Sequence, residues 1–248
     1  MNNTLLIDAD IIAYQITSSI EEPINWGNDL FTLHSDFNLA KDKYREYIKG
    51  LTDTFSPNKI MLFLSDSNNF RKTIYPEYKL NRVDKRKPVC FSEFRKWLFE
   101  NEEAISEPRL EADDLIGIYA TNPEIKGNKI IVSIDKDFKT IPSTISVDGK
   151  TVIKVNKTNA QYNHAYQTLT GDNTDNIPGC PGIGPVNAKK ILSNAVKGNY
   201  WPVVLEAFLK AKLTEKEALV QSRLTYILQH NDYNFKTKKV KLWSPNVR

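Results

Sequence analysis

The stretch Gly171–Leu192 reads GDNTDNIPGCPGIGPVNAKKIL. Its front carries two aspartates, Asp172 and Asp175. Its middle, Pro178-Gly179-Cys180-Pro181-Gly182-Ile183-Gly184-Pro185, is too rich in glycine and proline for either regular element. Its back, Val186–Leu192, has alanine, isoleucine and leucine at helical spacing. The Gly182-Ile183-Gly184 turn therefore feeds a helix N-terminus, where free backbone N–H groups can hold a phosphate and the glycines let the backbone come close to it. Lys189 and Lys190 add charge one turn further on. A carboxylate pair and a phosphate grip thus share one short segment, as a metal site beside a nucleic-acid backbone would require. A GxG alone would read as a solvated loop before an ordinary helix; the whole string argues for more.

Upstream, three short apolar runs each end in aspartate. Thr4–Ile7 leads into Asp8 and Asp10, Lys59–Ser65 into Asp66, and Lys129–Ile134 into Asp135 and Asp137. They read as buried parallel strands. In open α/β sheets, functional groups gather at the carboxyl ends of such strands. A single aspartate there could simply cap the next helix; the recurrence favours a shared site. Asp135 and Asp137 are two apart, so an extended chain points them the same way. Between the second and third strands, Glu111-Ala112-Asp113-Asp114 opens a helix. Acids in a first turn complement the helix dipole, but three in four residues exceed that need. If most of these carboxylates converge, they repel severely without cations. An oxygen-only ligand set suits Mg²⁺ or Mn²⁺. Two such ions about 3.5–4 Å apart can activate water and stabilise the leaving oxygen of a phosphodiester.

The stretch after Asp66 has the opposite sign. Arg71, Lys72, Lys79, Arg82, Lys85, Arg86 and Lys87 are set among Phe70, Tyr75 and Tyr78, with only Glu77 and Asp84 opposing them. That composition suits phosphates and stacked bases, although Lys85–Lys87 reads equally well as a solvated basic loop. Residues 21–35 read as an irregular connection, 36–55 and 91–103 as helices, and 145–155 as a hairpin around Asp148-Gly149. Beyond a boundary near Asn156 the chain reads as helices over roughly 159–169, 185–196, 201–211 and 215–230. The closing YNFKTKKVKLW has four lysines and reads as a strand or clasp returning to the core.

The bulk numbers bound the class. The chain has 248 residues, 40% of them hydrophobic, enough for a large core in one or two domains. Two distant cysteines, Cys90 and Cys180, form neither a disulfide framework nor a metal-ligand spacing, which fits a reducing cytoplasm. Three scattered histidines argue against zinc. The N-terminal MNNTLLIDAD is broken by acids at once and reads as no signal peptide, and no apolar stretch is long enough for a membrane.

LLIDAD, FLSDSNNFRKTIYPEYKLNR, LEADDLIG, VSIDKDFKTI and GDNTDNIPG, in this order, resemble the 5′-nuclease (flap endonuclease) family. SDSNNFRK, IDKDFKTIP and the closing YNF…LW are most similar to the 5′→3′ exonucleases of short-tailed phages. The resemblance implies a PIN-like α/β core over 1–155 with an arch at about 67–100, and a helix–three-turn–helix, duplex-binding region over 156–248 with a basic tail. It implies one metal cluster of Asp8, Asp66, Glu111 and Asp113 and a second of Asp135, Asp137, Asp172 and Asp175, with Asp114 between them. Asp10 has no clear counterpart in most of the family. Lys79 and Arg82 match arch bases that meet the scissile phosphate, Tyr78 is a stacking candidate, and the backbone of Gly182, Ile183 and Gly184 grips duplex. The carbonyls of Cys180, Gly182 and Ile183 are candidate K⁺ ligands.

The expectation is a monomeric, cytoplasmic, divalent-metal-dependent 5′→3′ exonuclease on duplex DNA, which also cuts 5′ flaps and removes RNA from RNA–DNA hybrids in phage replication. The alternatives are a repair-type flap endonuclease and a non-catalytic module that binds DNA structures. A pure binder gains nothing by repelling phosphate with ten acids. A PIN ribonuclease toxin would lack the glycine turn and basic arch. The span from Asp66 to Glu111 is short, which leaves open whether a 5′ strand threads a closed arch.

Overall fold

A computed structural model describes residues 2–245. The chain opens with β1 (Asn3–Asp8) and α1 (Ala9–Ser19), then β2 (Glu21–Asn25), β3 (Phe31–Ser35), α2 (Phe37–Phe55) and β4 (Lys59–Phe63). The basic stretch holds α3 (Arg71–Ile74) and α4 (Phe91–Asn101), followed by α5 (Ala112–Thr121), β5 (Asn128–Val132), β6 (Ser143–Ser146) and β7 (Ile153–Val155). Helices α6 (Lys157–Thr170), α7 (Pro185–Leu192), α8 (Trp201–Lys210) and α9 (Glu215–Thr225) follow, and β8 (Tyr233–Asn234) and β9 (Lys239–Val240) close the described chain.

The main sheet runs β4-β1-β5-β6-β7. Its first four strands are parallel, and β7 returns antiparallel beside β6. The apolar runs are continuous because both faces are covered. Leu6, Phe63 and Ile131 pack with Leu115 and Ile116 of α5. Leu5, Ile7 and Leu62 pack on the other side with Ile12 of α1, Tyr44 of α2 and Phe94 of α4. A third cluster, around Leu169, Leu192 and Phe208, joins α6, α7 and α8. Asn156 caps α6 through the Asn159 N–H at 2.8 Å, and Tyr226–Leu228 return to the first core. This is a PIN-like α/β core with helices following it.

Three elements differ from the sequence expectation, the first being α7, which stops at Leu192 short of the expected 196. Residues 21–35 form an antiparallel hairpin, β2–β3, whose turn is Gly27, Asn28 and Asp29 in the left-handed region. Their turn chemistry was the available signal. The helix expected over 215–230 stops at Thr225, because Tyr226, Ile227 and Leu228 are drawn into the core and their backbone groups bond to Arg71 and Asp114. The closing clasp is present: Val240 pairs with Tyr233, and the Trp243 ring meets Trp201 and His164 edge-on at 5.2 and 5.1 Å.

Candidate active site

The carboxyl end of the sheet supplies the first acids. Asp8 ends β1, caps α1 by accepting the Ile11 N–H at 3.2 Å, and is buried. Capping and clustering therefore coexist in one side chain. Burial, then Asp10 and Asp135, push its carboxyl up to about 7. Asp135 follows β5 and accepts the Asp137 N–H at 2.8 Å. Burial raises Asp135 as well, and burial with Asp135 and Asp172 pushes Asp137 up to about 7. Asp113, in the first turn of α5, is raised well above its ordinary value by burial, Asp114 and Glu111.

The second contribution comes from far along the chain. Residues 75–82 are laced to the 172–176 turn. The Lys79 N–H donates to Asp175 O at 2.9 Å, Asn81 to Asn173 O at 2.8 Å, Arg82 Nε to Thr174 O at 2.9 Å, and Asn176 to Glu77 O at 2.8 Å. Lys79 and Arg82 do not share a regular helix face. Lys79 has φ 56° and precedes a three-residue 3-10 turn, Leu80–Arg82. Such a left-handed, non-glycine residue costs about 1–3 kcal/mol and recurs at functional sites. The conformation brings the Lys79 ammonium onto Glu111 and to 3.4 Å from Asp175, while Arg82 pairs with Asp175. Burial would lower the Lys79 ammonium, but Glu111 and Asp175 outweigh it and hold it above its ordinary value. Burial would likewise raise Glu111, yet Lys79 and Arg71 hold it down at about 2. Burial also works against the Asp172 charge, but the Thr174 N–H and Lys136, at 3.4 Å, keep it below its ordinary value.

Asp113, Asp137, Asp172 and Asp175 line one narrow cleft of about 20 Å³, with Tyr78 and Gln167 in its walls. A larger cavity of about 540 Å³, beneath the clasp at Tyr200, Trp201 and Trp243, shares no lining residue with it.

Other sequence candidates turn elsewhere. Asp114, expected among the metal ligands, is fully buried and bidentate to Arg71 at 2.7 and 2.8 Å. It also accepts the Leu228 N–H at 3.2 Å, so its lone pairs are committed although it neighbours Glu111 and Asp113. Arg71, expected on DNA, is 1% exposed. Its remaining donors go to Glu111 at 3.2 Å, Leu224 O at 3.0 Å and Tyr226 O at 2.7 Å. Tyr78, expected to stack on a base, is 2% exposed. Asp66 accepts the N–H groups of Ser67 and Arg109, both at 2.8 Å, instead of pairing with the arch cations. Asp10 pairs with Arg95 of α4 at 2.6 Å and accepts the Ser65 N–H at 2.7 Å, tying α1 to the arch. Sequence reasoning missed Gln167. It donates to Asp137, and its Oε1 is buried without a hydrogen-bond partner. One α6 glutamine among many polar residues carries no signal in the sequence.

The glycine turn lies apart from the cleft. Gly182, with φ 73°, and Gly184 are exposed, and a Cβ at either would meet nothing within 4 Å. Gly184 precedes Pro185 at the start of α7, and no side chain caps that N-terminus, so its backbone N–H groups are open to a ligand. Lys72, Lys189 and Lys190 are exposed, as phosphate contacts require. Cys180 is buried, and its carbonyl already accepts the Ile183 N–H at 3.1 Å.

The family described as 5′–3′ exonuclease, N-terminal resolvase-like domain, matches residues 3–167. The chain belongs to the 5′–3′ exonuclease family. It is 32% identical to the exodeoxyribonuclease of Enterobacteria phage T3 over 97% of this chain and 92% of that protein. It is 31% identical to the exonuclease of Escherichia phage T7 over 97% of this chain and 93% of that one. The flap endonuclease Xni of Shewanella piezotolerans is 31% identical over 64% of this chain and 68% of its own. The fold matches the phage T5 D15 flap endonuclease, solved with DNA and metal ions, with a TM-score of 0.65 at 16% identity over 91% of each chain. Membership makes the chain an enzyme of the exonuclease and flap endonuclease class. No helix among its described residues is long and apolar enough to cross a membrane.

In this exonuclease the donor set fits hard divalent cations. Carboxylates crowd one cleft, several are pushed toward protonation, and the unpartnered Gln167 Oε1 adds a further oxygen beside Asp137. A pH dependence follows. Asp8 and Asp137 titrate near 7 when folded and near 3.8 when unfolded, so the folded state binds more protons between those values. Their contribution is fully present below about pH 4 and is lost as pH rises through about 7. Glu111 has the opposite sign, but its window lies below about pH 4.5. In EDTA the melting temperature is therefore expected to fall from pH 5 to pH 8. The stabilisation gained on adding Mg²⁺ should grow over the same range, as cations replace protons. Thermal melts in the two buffers check this, and equal Mg²⁺ effects at pH 5 and pH 8 would contradict it.

Proposed function

We propose that the chain is a divalent-metal-dependent 5′→3′ exonuclease on duplex DNA that also cuts 5′ flaps and removes RNA from RNA–DNA hybrids, as a monomer serving phage DNA replication and host DNA breakdown in the host cytoplasm. The observation that carries the reading is the cleft where Asp113, Asp137, Asp172 and Asp175 meet beside Lys79. The 5′–3′ description of the family supports the polarity, the T3 and T7 relatives support exonuclease activity, and the Xni relative supports the flap activity.

In this reading Asp8, Glu111 and Asp113 would hold one cation, and Asp135, Asp137, Asp172 and Asp175 a second. Asp66 would join the first set by leaving its backbone partners. Two Mg²⁺ ions, or Mn²⁺ in their place, supply an activated water and offset charge on the phosphodiester when bound. The chain's own residues do the rest. Gln167 orients Asp137, and the 75–82 loop, braced on the 172–176 turn, delivers Lys79 and Arg82 to the same place. Their cations compensate negative charge where it builds on the transferring phosphate. The open N-terminus of α7, with Lys189 and Lys190, holds duplex away from the cleft. K⁺ on the carbonyls of Cys180, Gly182 and Ile183 would support that grip.

End-labelled blunt duplex, 5′-flap and RNA–DNA hybrid substrates test the reading. Release of 5′ products with Mg²⁺, and retained binding without cleavage in EDTA, is the expected result. Binding without cleavage in either Mg²⁺ or Mn²⁺ would leave a structure-binding module instead. The duplex grip has its own test. Gly184 has φ −89° and open space around its Cβ position, so Gly184→Val should fold normally. It should weaken duplex binding about tenfold, the scale of one charge-assisted hydrogen bond, and weaken single-strand binding less. Equal losses on both substrates would count against a separate duplex grip.

A further inference from the structure

The Tyr78 ring is not presented to solvent. It is 2% exposed and packs with Ile177 and Leu224, which come from the segment after the 172–176 turn and from α9. The Arg71 guanidinium carbon lies 5.9 Å from the ring centre and the Lys79 Nζ 5.1 Å from it. In this packing neither ring face is open for a base to stack on.

The hydroxyl has a more specific environment. It donates to Glu111 Oε2 at 2.8 Å and lies 3.3 Å from Asp175 Oδ2. Glu111 precedes α5, and Asp175 ends the turn that follows α6, so one phenol touches a carboxylate from each of the two ligand sets. Lys79 spans the same two carboxylates, contacting the other Glu111 oxygen, Oε1, and the same Asp175 oxygen, Oδ2. The two bridges differ in kind. The ammonium is a charge on a flexible stem that must leave if it is to meet a phosphate. The phenol is neutral, fixed by its buried ring, and needs no movement to keep its hydrogen bond. Donors held rigidly against a ligand orient it and tune its basicity. Arg71, on the same Glu111 oxygen at 3.2 Å, limits that carboxylate's freedom further.

We propose that Tyr78 is a positioning residue whose hydroxyl fixes Glu111 and Asp175 relative to each other for cation binding, rather than a base-stacking residue. The inference rests on the ligand assignment under Proposed function. Loss of such a donor in a metal site ordinarily costs 10–100-fold in affinity or activity.

Tyr78→Phe separates the two roles, because it keeps the ring and removes only the hydroxyl. The variant's melting curve in EDTA first establishes that it folds. Mn²⁺ binding to the DNA-free protein by calorimetry is the main readout, with Asp175→Asn as control. Tyr78→Phe is expected to weaken Mn²⁺ binding about 10–100-fold and to lower kcat on duplex by a similar factor, with KM changing less than about twofold. Wild-type Mn²⁺ affinity and kcat in Tyr78→Phe, with loss of duplex affinity in Tyr78→Leu, would overturn the proposal and restore stacking. If wild-type Mn²⁺ binding is indifferent to Asp175→Asn, the ligand assignment itself fails, which this control detects separately.

Discussion

Arg71→Met is expected to destabilise the protein by about 3–5 kcal/mol, the cost of breaking a buried ion pair from one side. Arg71 is 1% exposed and Asp114 is fully buried, and the two make a bidentate pair at 2.7 and 2.8 Å. The guanidinium also closes the carbonyls of Leu224 and Tyr226, where α9 ends and the chain turns back into the core. Methionine fills much of the volume but leaves a carboxylate and two carbonyls facing apolar surroundings. Burying such groups unpaired is the costly case, whereas replacing both partners by apolar groups of similar size can be nearly neutral. Arg71→Met/Asp114→Leu is therefore expected to recover much of the loss. Urea unfolding of the single and double variants, each in EDTA so that metal binding does not enter, measures the difference. A single-variant loss below about 1 kcal/mol would mean that the buried pair does not hold the returning segment Tyr226–Leu228.

Arg71 also marks where sequence reading stops. The strands were legible because runs such as Leu5–Ile7 and Ile130–Val132 are apolar at every position, as two covered faces demand. The aspartates after them were legible because they recur at strand ends. Within the basic stretch, composition said how many cations there are but not which face inward. Arg71 and Lys72 are adjacent and chemically alike, yet one is buried and the other exposed. What decides between them is Asp114, whose approach depends on how α5 packs on the sheet. The same holds for Asp10, whose partner Arg95 lies on the arch helix, and for the end of α9, set by contacts with Arg71 and Asp114 rather than by a local breaker. The β2–β3 hairpin was missed for another reason. β2 opens with two acids and holds Pro23, so the Phe31-Thr32-Leu33-His34 alternation of β3 has no matching strand in the sequence to pair with.

Lys79→Ala is expected to slow single-turnover cleavage at saturating DNA and Mg²⁺ by about 10²-fold or more, the scale on which one preorganised charge stabiliser acts. The competing account is that Lys79 merely attracts DNA. Removing it would then raise the dissociation constant and reduce its salt dependence, leaving the single-turnover rate unchanged. The geometry separates these accounts. Lys79 is not on the exposed rim with Lys72: its ammonium pairs with Glu111 and sits 3.4 Å from Asp175, and the left-handed backbone at Lys79 together with the Asp175 carbonyl fixes where its side chain starts. A cation held among carboxylates is poorly placed to capture distant DNA and well placed to answer charge that develops between them. The same contacts set an opposing effect. The ammonium partly neutralises Glu111 and Asp175 in the DNA-free protein, so Lys79→Ala should bind Mn²⁺ more tightly before substrate arrives. Tighter metal binding combined with slower chemistry is a signature that neither lost folding nor lost DNA attraction produces. Lys85→Ala, in an exposed part of the same stretch, is the control and should change binding slightly and the rate hardly at all. A Lys79→Ala enzyme that cleaves at the normal single-turnover rate, with unchanged Mn²⁺ affinity, would reduce this lysine to an electrostatic guide.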